Sequence, residues 1–291
     1  MKTATQRANV EPKYEYIYAN IAHLTEHLFA PSDTPLAFRY AEIKRVVAAL
    51  WTTAAWTLSH GGQKSIAEQQ AFYESVGTKA ETWTVDGITH SGTTDECDVM
   101  EDRKITETLA KHLGDCDLIM DMGCGWGYRM VELYLYGVHT RFAGGDRSQY
   151  SREMVSRIAK LIPGISLEWF RLDFLNASFP ETPIAPKKVG VYSCFAIEQV
   201  QFLGTSLFDR LLARFPDAEI TGVHLEPVSF QVDPTMARER DAIKVRRYNE
   251  DLVEVISTHP QLELVHAEAC LFNRYNAVPP AYVVWRKKRS V

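Results

Sequence analysis

Leu118-Ile119-Met120-Asp121-Met122-Gly123-Cys124-Gly125-Trp126-Gly127 is a short apolar run that breaks into glycines at every second position. Such a run, closed by glycines, reads as a buried strand over 117–122. The next stretch reads as a helix over 128–136, stopped by Gly137. Glycines at the strand-to-helix turn let a ligand approach bare backbone. The spacing is D-x-G-x-G-x-G, which differs from the G-x-G-x-x-G dinucleotide fingerprint and lacks the Lys-Ser/Thr of a phosphate-cradling loop. A nucleotide pyrophosphate is therefore not the first expectation.

Two further strand ends carry acids. Residues 141–146, Arg-Phe-Ala-Gly-Gly-Asp, read as a second strand, and Asp146 follows Gly127 by 19 residues. That is near the ~20-residue offset at which a carboxylate takes ribose hydroxyls. Farther on, 166–172 reads as a strand closing on Asp173-Phe174.

The glycine turn from Asp121 to Gly127 resembles motif I of the Rossmann-like, class I S-adenosylmethionine-dependent methyltransferases. The resemblance spans roughly residues 100–290. It implies S-adenosylmethionine as cofactor, held by Asp121, Gly123, Cys124, Gly125, Gly127, Asp146, Arg147, Asp173, Phe174 and Ser193. In that pattern Asp146 binds the ribose, Asp173 accepts from the adenine amino group, and Phe174 lies against the adenine face. The motifs speak for the cofactor and leave the acceptor open.

Strands alternating with helices over 98–291 predict an α/β, doubly wound, mostly parallel sheet. After strands at 189–193 and 219–225 comes a helix over 239–257, then strands over about 261–270 and 281–285. With no helix between them, the last two are expected to form a C-terminal antiparallel hairpin, giving seven strands. That hairpin is what the resemblance adds to a parallel sheet, and what a dehydrogenase domain lacks.

Residues 1–97 precede this core and read as mostly helical, with amphipathic stretches over 13–29, 36–59 and 65–76. The run Thr82–Ser91 alternates around Asp86-Gly87, a hairpin signal, and Ser91–Cys97 reads as a polar loop and a domain seam. By the resemblance, such a segment forms a lid and lines the acceptor pocket. Tyr14, Tyr16, Tyr18, His23, Tyr73, Trp83 and His90 are its candidate contacts, each with a core or surface reading beside the functional one.

Ligands of doubly wound sheets lie beyond the carboxyl ends of the strands, so those ends hold the candidates for chemistry. Glu198 follows the fourth strand, where a carboxylate can orient an acceptor or take its proton; a first-turn helix acid is the plainer reading. His224 and Glu226 end the fifth strand one pleat apart and share a face. Histidine titrates near neutrality and suits proton removal, against a reading as a satisfied core residue. Cys124 and Cys194 read as small packing residues, since methyl transfer from a sulfonium needs no covalent intermediate.

The hydrophobic content of 46% with 24% charged residues is that of an ordinary globular chain, and the net charge of −5 argues against nucleic acid as the main partner. The basic runs Arg238–Arg247 and Trp285–Arg289 are mixed with acids or confined to the tail. No run reaches the ~18 apolar residues of a membrane span. The five scattered cysteines fit reduced thiols rather than disulfides or a zinc site, which suggests a cytoplasmic protein without a metal. A homodimer is left open.

The expected activity is methyl transfer to a small-molecule acceptor, with O, N, S and C acceptor atoms all open. The strand ends lack the Asn/Asp-Pro-Pro-Tyr pattern of amino-group methyltransferases, the paired acids of arginine methyltransferases and the Asp-Asn pair of metal-assisted catechol sites. Another sulfonium-cofactor transferase on the same fold and a non-catalytic cofactor-binding interaction protein are the alternatives.

Overall fold

The computed structural model describes residues 19, 21–23, 25–30, 34–60, 75, 77–182, 184–274 and 279–289. Tyr14, Tyr16, Tyr18 and Tyr73 lie outside them, as do part of the helix expected over 13–29 and nearly all of that expected over 65–76.

The strands in chain order are β1 (Ala80–Val85), β2 (Ile88–Thr93), β3 (Leu118–Met122), β4 (Arg141–Asp146), β5 (Ser166–Arg171), β6 (Lys188–Cys194), β7 (Glu219–Glu226), β8 (Leu262–Glu268), β9 (Phe272–Arg274) and β10 (Ala281–Lys287). Seven of them form one sheet in the order β5-β4-β3-β6-β7-β10-β8. The first five are mutually parallel. β10 enters antiparallel between β7 and β8. The expected mostly parallel sheet of seven strands with an antiparallel C-terminal pair is thus present. β10 sits inside the sheet, and β8 forms its edge.

The centre of the sheet is buried on both faces, and all five residues of β3, Asp121 among them, are buried. One face packs on the helices Ser206–Arg214 and Leu252–Thr258 through Phe208, Leu211 and Ile256; the other packs on Thr94–Leu113 through Ile105, Leu109 and Leu113. Gly222 of β7 lets Trp285 of β10 lie flat across it, since a Cβ there would stand 2.1 Å from the indole.

A second sheet, of order β2-β1-β9, is where the structure departs from the sequence reading. The hairpin around Asp86-Gly87 forms as expected, with Asp86 and Gly87 both at positive φ. It gains a third strand from residues 272–274, far away in the chain. The polar stretch Ser91–Cys97 is not a loop. It finishes β2 and starts the helix Thr94–Leu113 in a capping box, with the Glu96 N–H on the Thr93 hydroxyl at 3.3 Å and the Thr93 N–H on the Glu96 carboxylate at 2.8 Å.

The helix expected over 239–257 is two helices, Ala237–Arg246 and Leu252–Thr258. Arg247 takes φ 57, and the Asn249 side chain accepts from the Asp251 and Leu252 N–H groups, which ends one helix and starts the next.

The N-terminal helix Leu36–His60 lies on the core through Ile43 and Val47, which meet Trp126, Val131, Met154 and Ile158. Phe38 on the same helix is 71% exposed. Among the described residues no helix is long and apolar enough to cross a membrane, and no group of His, Cys, Asp and Glu is placed to hold a metal.

Candidate functional site

The glycine turn after β3 is built by its neighbours. Gly123, Gly125 and Gly127 take φ values of 93, 54 and 85, a region that side chains other than glycine rarely adopt. The Gly123 and Cys124 N–H groups donate to the Gly145 carbonyl at 2.8 and 3.0 Å, and the Gly125 N–H donates to Asp146 Oδ2 at 3.0 Å. A Cβ on Gly123 would stand 2.3 Å from the Ala196 Cβ and 3.6 Å from Cζ of Phe174. The ends of β3, β4, β5 and β6 therefore meet at this turn.

Asp121 sits at the floor, buried, and accepts from the Tyr192 hydroxyl at 3.0 Å. Burial pushes its carboxyl up to about 7, with Asp146 and Glu226 adding to the rise against Tyr192 and Arg129. Asp146 also accepts from the Ser148 N–H at 2.9 Å through Oδ1. Asp173 turns its own loop, accepting from Leu175 N–H at 3.0 Å, and Phe174 beside it is buried. Arg147 lies half-buried after Asp146. Cys124 is packed between Gly144 and Ser151, and burial raises its thiol well above the usual range, which suits the packing reading.

These residues fit the adenosyl group expected there. Asp146 at the end of β4 accepts from the turn, the Phe174 ring lies at its side, and no lysine stands at the turn as a phosphate site would need.

The other cluster, at the ends of β6 and β7, is a closed chain of hydrogen bonds. The Trp285 indole N–H donates to His224 Nε2 at 2.8 Å. Since an indole only donates, His224 carries its proton on Nδ1, which faces the Ser193 hydroxyl at 2.9 Å. Ser193 donates to Glu226 Oε1 at 2.6 Å. Glu226 further accepts from the Ala196, Ile197 and Glu198 N–H groups at 3.0–3.2 Å. All four side chains are fully buried.

Burial pushes the His224 imidazole down to about 3 and the Glu226 carboxyl up to about 7. Both His224 nitrogens are engaged by protein, which gives the ring no route to a ligand. Ser193, expected to touch the cofactor, spends its hydroxyl inside the same chain. Glu226 grips the loop after β6, the segment that abuts Gly123. Glu198 stands on the short 3-10 turn Ile197–Gln199 of that loop, buried, and accepts from the Gln199 amide at 2.5 Å.

Phe195 begins this loop, and nothing in the sequence marks an aromatic residue there for left-handed backbone. It takes φ 52 and stays 38% exposed at the tip of β6. His23 is exposed, whereas Trp83 is buried in the small sheet and stacks on His90 at 5.9 Å.

A side of the site that sequence reading also misses is a mixed-charge cluster beside the glycine turn. Lys44 of the N-terminal helix reaches Asp102 and Glu132, both at 2.7 Å, and Arg129 reaches Asp102 at 2.6 Å. Tyr40 donates to Glu132 at 3.1 Å and lies 6.4 Å from Trp126, the residue inside the turn.

No family model and no curated protein matches the sequence. Solved structures do resemble it. The geranyl diphosphate C-methyltransferase of Streptomyces coelicolor A3(2) superposes at TM-score 0.45 and 13% identity, over 65% of this chain and 79% of that one. Human N-acetylserotonin methyltransferase does so at 0.43 and 10%, over 97% and 68%. The plantazolicin methyltransferase BpumL does so at 0.41 and 14%, over 66% and 84%.

Proposed function

We propose that the chain transfers a methyl group from S-adenosylmethionine to a small-molecule acceptor. The observation that carries the reading is the meeting of the ends of β3, β4, β5 and β6 at the glycine turn, where Gly125 rests on Asp146 and Phe174 lies beside Gly123. A ligand placed there would meet glycine backbone, the Asp146 carboxylate and the Phe174 ring. That is the chemistry an adenosyl group calls for.

When bound, S-adenosylmethionine supplies a methyl group activated by its positive sulfur. The chain's part is positioning and the exclusion of water. In this reading Asp146 accepts from the ribose hydroxyls and Asp173 from the adenine amino group, while Phe174 covers the ring face. Asp121 supports the turn from below and, once ionised, favours a positive ligand above it.

Glu198 is the carboxylate placed to meet an acceptor, at the loop after β6. Glu226 holds that loop in shape and His224 ties Ser193 of β6 to Trp285 of β10, rather than moving a proton. The segment 1–97 serves as the lid over 98–291, with Tyr40 and Trp126 as its contact with the turn. The five reduced cysteines suit a cytoplasmic setting.

Isothermal titration with S-adenosylhomocysteine tests the reading. Binding by the native chain that weakens in Asp146→Ala supports it. No binding by the native chain, or binding that Asp146→Ala leaves as tight, overturns it.

A further inference from the structure

Asp121, the penultimate residue of β3, stands between Gly144 of β4 and Tyr192 of β6. It is 2% exposed, and among the described residues its carboxyl takes one hydrogen bond, from the Tyr192 hydroxyl at 3.0 Å, and no ion pair. The charged groups that face it are Arg129, Asp146 and Glu226, and each is engaged elsewhere. Arg129 is held by Asp102 at 2.6 Å. Asp146 takes the Gly125 and Ser148 N–H groups. Glu226 takes the Ser193 hydroxyl and the N–H groups of Ala196, Ile197 and Glu198. The Cys124 and Cys194 thiols and the Tyr192 phenol, all raised by burial, stay neutral beside it.

Three carboxyls thus gather under the glycine turn with one guanidinium among them, and Asp121 has the fewest donors. Like charges held out of water do not all ionise, and a proton settles where the charged form is least supported. Burial accordingly pushes Asp121 up to about 7, so its proton exchanges near neutrality. A cationic ligand on the turn favours the carboxylate beneath it, and a neutral ligand favours the acid. A sulfonium donor and its demethylated product differ by that one positive charge.

We infer that Asp121 tells the methyl donor from its demethylated product, giving up its proton under the sulfonium and keeping it under the thioether. The inference rests on the functional reading above. It adds a way for the site to favour the donor over the product that shares its adenosine and amino-acid groups. The proton passes to solvent when the donor binds and returns from solvent once the positive charge is gone.

The test titrates the native chain calorimetrically with S-adenosylmethionine and with S-adenosylhomocysteine, without acceptor, in buffers of different ionisation enthalpy. The preference for S-adenosylmethionine is expected to rise about tenfold from pH 5 to pH 8, since an opposite charge lowers a nearby carboxyl by ~1 or more on the pH scale. S-adenosylmethionine should also release more protons on binding than S-adenosylhomocysteine does. In Asp121→Asn the preference is expected to stay level with pH, with equal proton release by both ligands. Where Asp121→Asn does not fold, Tyr192→Phe carries the test: it removes the donor that supports the carboxylate, so the rise moves to higher pH. A preference that is level with pH in the native chain overturns the inference, as does a rise that Tyr192→Phe leaves in place. A rise that persists in folded Asp121→Asn overturns it too, and assigns the proton to another group such as Glu226, which burial also raises to about 7. A native chain that binds neither ligand overturns the functional reading itself.

Discussion

The backbone N–H of Gly125 donates to the carboxylate of Asp146 at 3.0 Å, so the turn that closes β3 and the acid that closes β4 are locked together in the protein alone. The carboxylate that would hold a ribose is thereby aimed by the loop that would hold the rest of the ligand. Asp146→Ala removes both the acceptor and the lock. The expected loss in S-adenosylhomocysteine affinity is about 10- to 100-fold, the worth of one hydrogen bond to a charged group at ~1.5–3 kcal/mol. Calorimetry reads it directly, and an unchanged dissociation constant contradicts the role.

Substitutions in the turn are expected to rank. Gly123→Ala combines φ 93 with a Cβ 2.3 Å from the Ala196 Cβ. Gly127→Ala has a similar φ of 85, but its Cβ would stand 3.1 Å from a Val155 methyl that can give way. Left-handed backbone costs an alanine ~1–2 kcal/mol at either site, and only the first adds a clash with the loop after β6. Urea unfolding should show Gly123→Ala as the less stable of the two. Equal losses would mean that the loop yields freely.

The burial that raises Asp121 makes a pH prediction with a definite sign. Its carboxyl titrates at about 7 in the folded chain, against 3.8 as the ordinary value. The native state therefore keeps a proton that the unfolded chain releases between those values. The stability this contributes is fully present below about 3.8 and is lost as pH rises through about 7. Each pH step of one between the two values removes ~1.4 kcal/mol, so the loss reaches up to about 4 kcal/mol. Asp121→Asn keeps an acceptor for Tyr192 and cannot ionise. Its unfolding free energy should fall less than the native chain's between pH 5 and pH 8, and parallel slopes would refute the assignment.

The strand-turn-helix core is legible in the sequence because its signals are local. A continuous apolar run closed by alternating glycines puts β3 at Leu118–Met122, one residue from its expected start, and Asp146 closes β4 where the spacing places it. What escapes such reading is set by partners far along the chain. The three residues of β9 are too few for a periodicity and become a strand only against β1. The split at Arg247 depends on Asn249, whose side chain also donates to the Val200 carbonyl at 2.8 Å. The helix start at Thr94 is a different case, for its Thr-x-x-Glu capping box is written in the sequence, and only the polarity around it suggests a loop. Alternation along β7 does put His224 and Glu226 on one face, yet their chemistry is decided by Trp285 and by the backbone after β6, which a single strand does not reveal.

That pair gives the last prediction. A catalytic His224 would titrate near neutrality and lie open to a ligand. The observed ring is fully buried, pushed down to about 3, and bonded to Trp285 and Ser193. Its NMR resonances are expected to stay unmoved between pH 5 and pH 8. His224→Ala strands the Trp285 N–H and opens a cavity, at a cost of ~2–4 kcal/mol in stability. Glu226 acts on a different part of the molecule. Its two oxygens gather the N–H groups of Ala196, Ile197 and Glu198, and Glu226→Gln would turn an amide donor toward them. Hydrogen exchange at those three amides should quicken in Glu226→Gln and stay slow in His224→Ala, because only the first loosens the loop that abuts Gly123. If both variants leave the three amides equally protected, Glu226 does not hold the loop, and the shape of the acceptor side must come from elsewhere.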